Sequence, residues 1–420
     1  MEFATIKGFR DILPDEIPYW HTLENEARRL FECYGFQEIR TPILEKTELF
    51  NRSIGQETDI VSKEMYTFQD SKGRNLSLRP EATASVVRAY IQNRLYTRGG
   101  AQKFYCIGPM FRHERPQKGR FRQFHQINVE EFGDPGPVSD AELIIMIMSL
   151  FERIGLRNGV RLNINSLGCL ECRSVFKDKL KKYLRDKKEI FCPDCQRRAV
   201  LNPLRVFDCK VESCQQGIKN APIILNYLCD SCKAHFHHVQ EILSDFDVEF
   251  LVNPRLVRGL DYYTRTTFEV HTDELGAQNA IAGGGRYDGL VRLLGGPEHP
   301  AIGFAIGVER TINLLQKKMP IEKRGPDIFI AALGEKAKKI SFSWVIWLRD
   351  KGLWVEMEHE DKGLKAQMKK ADKMRARKVL IIGENELLSK KAALRDMKTG
   401  EQEEIKIDNV EDIYNAVLTP

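Results

Sequence analysis

GPMFRHERPQKGRFRQFHQINVEEFG, residues 108–133, is the stretch on which the fold turns. It reads as a strand ending in Arg112, a basic loop, and a returning strand through Phe124, Gln126 and Glu130. The loop sets Arg115, Lys118, Arg120 and Arg122 beside Arg112, with Glu114 the single acid among them. So much like charge in a short hairpin is costly unless anions neutralise it, and arginine offers a fork of donors suited to phosphate. The two-residue period of a strand puts Phe124, Gln126, Asn128 and Glu130 on one face. Such a hairpin can hold a triphosphate at its root and reach a polynucleotide backbone at its tip. Taken alone, it reads equally as an exposed basic hairpin with no ligand.

Upstream, Ile17, Trp20, Leu23, Ala27, Leu30, Phe31 and Tyr34 recur at helical spacing, and Gly35 closes the helix predicted over 15–34. A strand pattern at 36–44 is interrupted by Pro42. A helix over 81–96 and a strand over 103–111 lead into the hairpin. Downstream, the patterns predict a helix at 140–154, strands at 247–252, 266–272 and 278–283, and a helix from near Gly303 to about Lys317. This mix predicts a largely antiparallel α+β body. MPIEKRGP (319–326) reads as a linker. Beyond it, DIFIAAL (327–333), a strand at 353–357, a basic helix near 362–375 and KVLIIG (378–383) alternate strand with helix. That alternation predicts a small three-layer α/β domain with a mostly parallel sheet.

The chain has 420 residues, with 65 Lys and Arg against 59 Asp and Glu, a net +6. The length predicts more than one domain. The 42% hydrophobic and 30% charged content excludes a disordered, collagen-like or membrane-spanning chain. No apolar run approaches the ~18–20 residues of a membrane helix, and MEFATIKGFRD lacks the apolar core of a signal peptide. A cytoplasmic protein with no membrane partner is expected. Residues 169–240 hold 14 Lys and Arg against 8 Asp and Glu, so the remainder of the chain sums to zero. Eight basic residues in 362–378 face the single acid Asp372, a pattern that by itself suits a solvated helix face.

Eight of the ten cysteines fall between Cys169 and Cys232. They pair as Cys169/Cys172, Cys192/Cys195, Cys209/Cys214 and Cys229/Cys232, which in a cytosolic chain favours metal over disulfides. CPDC and CDSC have zinc-knuckle spacing. One grouping is Cys192, Cys195, Cys209 and Cys214 with Cys169, Cys172, Cys229 and Cys232 as a second set. One site with spare thiols is equally arguable, and His235, His237 and His238 widen the choice of ligands. Cys33 and Cys106 stand alone and read as small buried hydrophobes.

Three further stretches are each weak in isolation. LVRGLDYYTRTTFEV (256–270) sets Arg258 before Asp261, Tyr262 and Tyr263. AGGGRYDGL (282–290) lacks the Walker lysine and the dinucleotide spacing. AIGFAIGVERTINLL (301–315) reads as small residues leading into a helix with Arg310 one turn in.

Together and in this order, these stretches closely resemble the class II aminoacyl-tRNA synthetases, and within them the histidine–tRNA ligase family. KGFRDILPDE (7–16) is similar to that family's N-terminal motif. The helix and strand ending at Pro42 resemble motif 1, the dimer element, 108–133 resembles motif 2, and 301–315 resembles motif 3. LVRGLDYY and GGGRYDGL resemble stretches specific to the histidine enzymes. The resemblance spans essentially the whole chain. It implies an antiparallel-sheet catalytic domain over 1–325 with a Cys-rich insertion at about 168–240 that contacts the tRNA acceptor arm. It also implies an α/β anticodon-binding domain over 326–420.

The implied activity is ATP-dependent activation of L-histidine to histidyl-adenylate, then transfer of histidine to the 3′ end of its tRNA. The implied partners are ATP, Mg²⁺, histidine, the tRNA and a second copy of the chain, with structural Zn²⁺ left open. Residue by residue, the resemblance implies catalytic roles for Arg258 and Arg112. Histidine contacts fall to Glu81, Thr83, Arg112, Gln126, Glu130, Arg258, Tyr262 and Tyr263. ATP contacts fall to Arg112, Glu114, Arg120, Phe124 and Arg310. A second reading is a histidine-sensing regulatory subunit of histidine biosynthesis. Such subunits resemble the catalytic core but typically lack the anticodon domain and erode the ATP arginines, both of which this chain retains.

Overall fold

The computed structural model describes residues 3–55, 58–116, 119–275, 279–321 and 323–419, so Lys118 lies outside the described residues. The chain divides into two compact units, Met1–Ile321 and Glu322–Pro420.

The first unit is built on an eight-stranded sheet. Its strands are β1 (Gln37–Glu38), β2 (Gln102–Phe111), β3 (Gln123–Phe132), β4 (Arg161–Ser166), β5 (Phe250–Val252), β6 (Thr264–His271), β7 (Ala280–Arg286) and β8 (Ala301–Gly307). They lie in the order β1-β2-β3-β8-β7-β6-β4-β5. The outer pairs β1–β2 and β4–β5 are parallel, and every pair between them is antiparallel.

Strand alternation makes the sheet two-faced. Ile127 and Val129 of β3, Phe268 and Val270 of β6, and Ile302, Phe304 and Ile306 of β8 enter one core. Four helices cover that face: α1 (Ile17–Cys33), α3 (Pro137–Arg153), α5 (Asp230–Asp245) and α6 (Val308–Lys318), with α2 (Thr83–Gln92) lying elsewhere in the unit. Helix α1 contributes the stripe Trp20, Leu23, Ala27, Leu30 and Phe31. Burying side chains of this size contributes about 1.5–3 kcal/mol each. On the opposite face Phe104, Cys106, Met110 and Phe132 enter a second apolar cluster, and Gln126, Asn128 and Glu130 share that face with them.

Three expectations are corrected. The strand at 36–44 is only β1, and the chain rejoins a sheet at Leu44–Lys46, in a separate three-stranded one. Pro42 has no N–H for a ladder, which fits the break. Residues 301–307 form β8 instead of opening a helix, and α6 begins at Val308. Cys33 is exposed, since it falls off the apolar stripe of α1, whereas Cys106 is buried.

The insertion leaves β4 at α4 (Leu170–Asp186) and returns through α5. Phe176, Leu180, Leu184, Phe191, Val206 and Ile224 form its interior together with the cysteine pairs.

The second unit has strands β9 (Ile328–Ala332), β10 (Val355–Met357), β11 (Lys378–Ile382), β12 (Lys391–Asp396) and β13 (Gln402–Lys406), in the order β10-β9-β11-β12-β13. The first three are parallel, as expected, but β12 and β13 add antiparallel strands that the sequence pattern does not announce. Helices α7 (Glu335–Asp350), α8 (Leu364–Lys373) and α9 (Val410–Leu418) complete it. Separate apolar clusters occupy the two sheet faces, giving three layers.

Candidate active site

On the polar face of the first sheet, β3 and β8 pair so that Gln126 lies opposite Gly307, Asn128 opposite Ala305 and Glu130 opposite Gly303. On the β8 side each of these three polar side chains thus meets a small neighbour. Gly283 continues the row between Ala305 and Glu269. This strip of small residues floors a cleft of about 320 Å³, and every residue that the resemblance implied for histidine or ATP lines it.

One end of the cleft is a closed polar pocket around Glu130, which is 2% exposed. The Thr83 hydroxyl donates to Glu130 Oε1 at 2.6 Å, and the Tyr287 hydroxyl donates to Oε2. Tyr262 and Tyr263 close the pocket with ring centroids 4.8 Å apart, and Tyr287 lies 5.5 Å from Tyr262. Burial pushes the Glu130 carboxyl up to about 8, against the pull of its two hydroxyl donors. Glu81 accepts from the backbone N–H groups of Thr83 (2.7 Å) and Ala84 (2.9 Å) at the start of α2. Burial raises its carboxyl too. Gln126 Oε1 is buried without a hydrogen-bond partner among the described residues, an acceptor aimed at the cleft.

The other end is cationic. Arg112 is anchored through Nε on the Pro80 carbonyl at 2.8 Å, and its guanidinium lies 5.3 Å from the Phe124 ring centre. Glu114 pairs with Arg120 and lies 3.9 Å from Arg112. Arg310, in the first turn of α6, donates to the carbonyls of Gly119 (3.2 Å) and Ala280 (2.6 Å). Arg258 is ion-paired with Glu269, which also accepts from His271 at 2.9 Å. Burial disfavours both charges, yet Glu269 keeps the guanidinium above its ordinary range, and Arg258 and His271 keep Glu269 below its own.

Several of these residues escape a reading of the sequence. Tyr287 and Glu269 stand inside quoted stretches, and Glu269 is the one acid on the strand TRTTFEVH. Asp140, Arg286 and His235 form a buried network, with Arg286 paired to Asp140 and His235 Nε2 2.8 Å from Asp140 Oδ2. Its members lie far apart in sequence, so no local signal marks it.

In the insertion, the sulfurs of Cys169, Cys172, Cys229 and Cys232 lie within 4.8 Å of one another, as do those of Cys192, Cys195, Cys209 and Cys214. The backbone N–H of Cys229 donates to Cys172 Sγ at 3.1 Å, and that of Cys192 to Cys214 Sγ at 3.2 Å. His235 is bonded to Asp140 and belongs to neither set.

An antiparallel sheet whose polar face carries motif arginines beside an amino-acid-sized polar pocket defines a class II aminoacyl-tRNA synthetase. A family model described as histidyl-tRNA synthetase matches residues 8–181 and 198–311, and one described as an anticodon binding domain matches 327–416. The chain is 54% identical over 413 residues to a histidine–tRNA ligase of Desulfatibacillum aliphaticivorans, covering 98% of each. It is 55% identical over 415 residues to that of Desulfosudis oleivorans, covering 99% of this chain and 97% of the relative. The apo histidyl-tRNA synthetase of S. aureus superposes with a TM-score of 0.81 at 36% identity, over 97% of this chain and 99% of that one. A Bacillus halodurans chain titled as an ATP phosphoribosyltransferase regulatory subunit/histidyl-tRNA synthetase shares the fold alone, at 18% identity and a TM-score of 0.66 over 91% of this chain and 99% of that one.

The chain belongs to the histidyl-tRNA synthetase family. It is a ligase that charges tRNA with histidine, with ATP as co-substrate and Mg²⁺ as the general companion of that chemistry. No helix among the described residues is long and apolar enough to cross a membrane.

Proposed function

We propose that the cleft carries out both steps of histidine transfer, with the roles that follow. The observation that supports this most is the adjacency, in one cleft, of the Glu130 pocket and the arginines 112, 258 and 310. Glu130, Tyr263 and Tyr287 pair the imidazole, Tyr262 packs beside it, and Gln126 accepts from the substrate. Glu81 and Thr83 hold the amino group; the Thr83 proton is engaged by Glu130, which leaves its lone pairs for an ammonium. An amino acid without imidazole nitrogens leaves these buried groups unpaired, which suffices for discrimination of about 10⁴–10⁵ without an editing domain.

Two anions, the histidine carboxylate and the ATP α-phosphate, meet in the first step, so fixed positive charge is required. Arg112 and Arg258 supply it, Arg310 holds the γ-phosphate, Phe124 stacks under adenine, and Glu114 and Arg120 border the nucleotide. Mg²⁺, when bound with ATP, neutralises further phosphate charge. The carboxylate oxygen attacks the α-phosphorus and pyrophosphate leaves. The 3′-terminal ribose hydroxyl of the tRNA then attacks the adenylate carbonyl and AMP leaves.

We assign residues 1–325 to this catalysis and 326–420 to the anticodon, with the insertion at about 168–240 reaching the acceptor arm. Structural Zn²⁺ is assigned to each four-cysteine set, on the strength of the sulfur clustering. The protein acts in the cytoplasm as a homodimer through the motif 1 segment, where Ile43 and Leu44 are exposed.

The test is charging of a tRNA pool with each amino acid in turn. Histidine alone should become esterified, and Arg112→Ala should abolish it. Histidine binding with no adenylate formed would overturn the assignment in favour of a sensor.

A further inference from the structure

We infer that the Cys169, Cys172, Cys229 and Cys232 set holds a Zn²⁺ that ties the two ends of the insertion together and thereby fixes the walls of the histidine pocket. The inference rests on the zinc reading above and adds a part for this site in amino-acid binding.

The donor set fits the ion. Zinc bound to four thiolates at about 2.3 Å holds its sulfurs about 3.8 Å apart. The Cys169 and Cys172 sulfurs are 3.5 Å apart and the whole set lies within 4.8 Å, whereas a disulfide needs about 2.05 Å and joins only two. The Cys229 N–H aimed at Cys172 Sγ is a donor suited to a thiolate ligand.

Position gives the site its reach. Cys169 precedes α4, where the chain leaves the catalytic sheet, and Cys229 precedes α5, where it returns. At the outgoing end, Arg173 in the first turn of α4 donates to the carbonyl of Tyr263 at 2.8 Å and to that of Asp261 at 3.4 Å. The Leu167 N–H donates to the Arg265 carbonyl (2.7 Å), and the Arg265 N–H to the Gly168 carbonyl (2.9 Å). The backbone that carries Tyr262 and Tyr263 is therefore gripped on both sides of Cys169. At the returning end, His235 of α5 binds Asp140, Asp140 pairs with Arg286, and the next residue, Tyr287, donates to Glu130. Tyr263 and Tyr287 flank the paired strands β6 and β7, where Thr264 lies opposite Arg286, and each is also braced from one end of the insertion. An ion joining those ends holds the two braces together and so steadies the spacing that the strand pairing sets.

The experiment uses the full chain purified without added metal. It measures zinc per chain and the KM values for histidine and ATP in ATP–pyrophosphate exchange, for the native protein, Cys169→Ser and Cys169→His. The native chain should carry one zinc per four-cysteine set. Cys169→Ser should lose one of these and raise the histidine KM about 10–100-fold with the ATP KM little changed. Cys169→His, which retains a zinc ligand, should restore both. Should Cys169→Ser fail to fold, the native chain decides alone, because coupling between two sites is reciprocal: saturating histidine should slow the transfer of one zinc per chain to a chromophoric chelator. A native chain without zinc overturns the zinc reading and this inference together. Zinc release indifferent to histidine, or a Cys169→Ser variant that loses zinc at unchanged histidine KM, overturns the coupling and leaves the zinc reading standing.

Discussion

Glu130 is a carboxyl that the fold makes hard to ionise. Its pKa of about 8, against an ordinary 4.5, means the folded chain holds an extra proton between those values. A carboxyl raised on folding contributes stability at low pH, and that contribution is lost as pH rises toward 8. The same proton serves binding. Glu130 and an imidazole need one proton between them, and the free imidazole titrates near 6.5. The kcat/KM for histidine should therefore be bell-shaped, falling below about 6.5 and above about 8. Glu130→Gln should remove the alkaline limb and lower kcat/KM about 10–100-fold; a pH series on both proteins checks this. Arg258 depends on its neighbour Gly283, where an added Cβ would stand 2.5 Å from Nη1 and 2.8 Å from Cζ of that guanidinium. Gly283→Ala should displace it and lower kcat in exchange about 10²-fold, with the melting temperature nearly unchanged.

Strand β8 shows how much of the site is legible at the level of elements. AIGFAIG reads as the lead into a helix because glycine and alanine permit close packing, yet its apolar residues Ile302, Phe304 and Ile306 alternate with a period of two. That period is the strand signal, and it also identifies Gly303, Ala305 and Gly307 as the strip beneath the polar side chains of β3. The hairpin 108–133, α1 and the parallel strands of the second unit are readable because each declares itself over a short window. Strands β12 and β13 escape because KAALRD and QEEIK mix charge and small residues without strict alternation. The buried network cannot be read at all, since Asp140, His235 and Arg286 meet only through tertiary packing. Asp140 and Arg286 are both 0% exposed in their side chains. Removing one partner of such a pair leaves the other uncompensated, so Asp140→Asn should cost the catalytic unit about 3–5 kcal/mol, measured by urea unfolding.

At the scale of the whole molecule, the proposed function divides the labour of one reaction between the two units. Lys365, Lys369 and Lys373 are exposed on α8, while Lys370 is engaged with Glu358 at 3.2 Å and Arg377, just after the helix, donates to the Val417 carbonyl. Charge of this kind gives salt-dependent affinity for a nucleic-acid backbone without reading its bases. Lys365→Gln with Lys369→Gln should weaken tRNA binding and flatten its salt dependence by about one unit for each phosphate no longer neutralised. Exchange measured without tRNA should be unaffected; a fall in both would relocate the role of that helix. All of this depends on a histidine pocket and a catalytic arginine sharing one cleft. The decisive measurement is histidine-dependent ATP–pyrophosphate exchange on the native chain and on Arg258→Ala. Exchange should require histidine and fall about 10²–10³-fold in the variant. Exchange that proceeds without histidine, or that Arg258→Ala leaves intact, would contradict it.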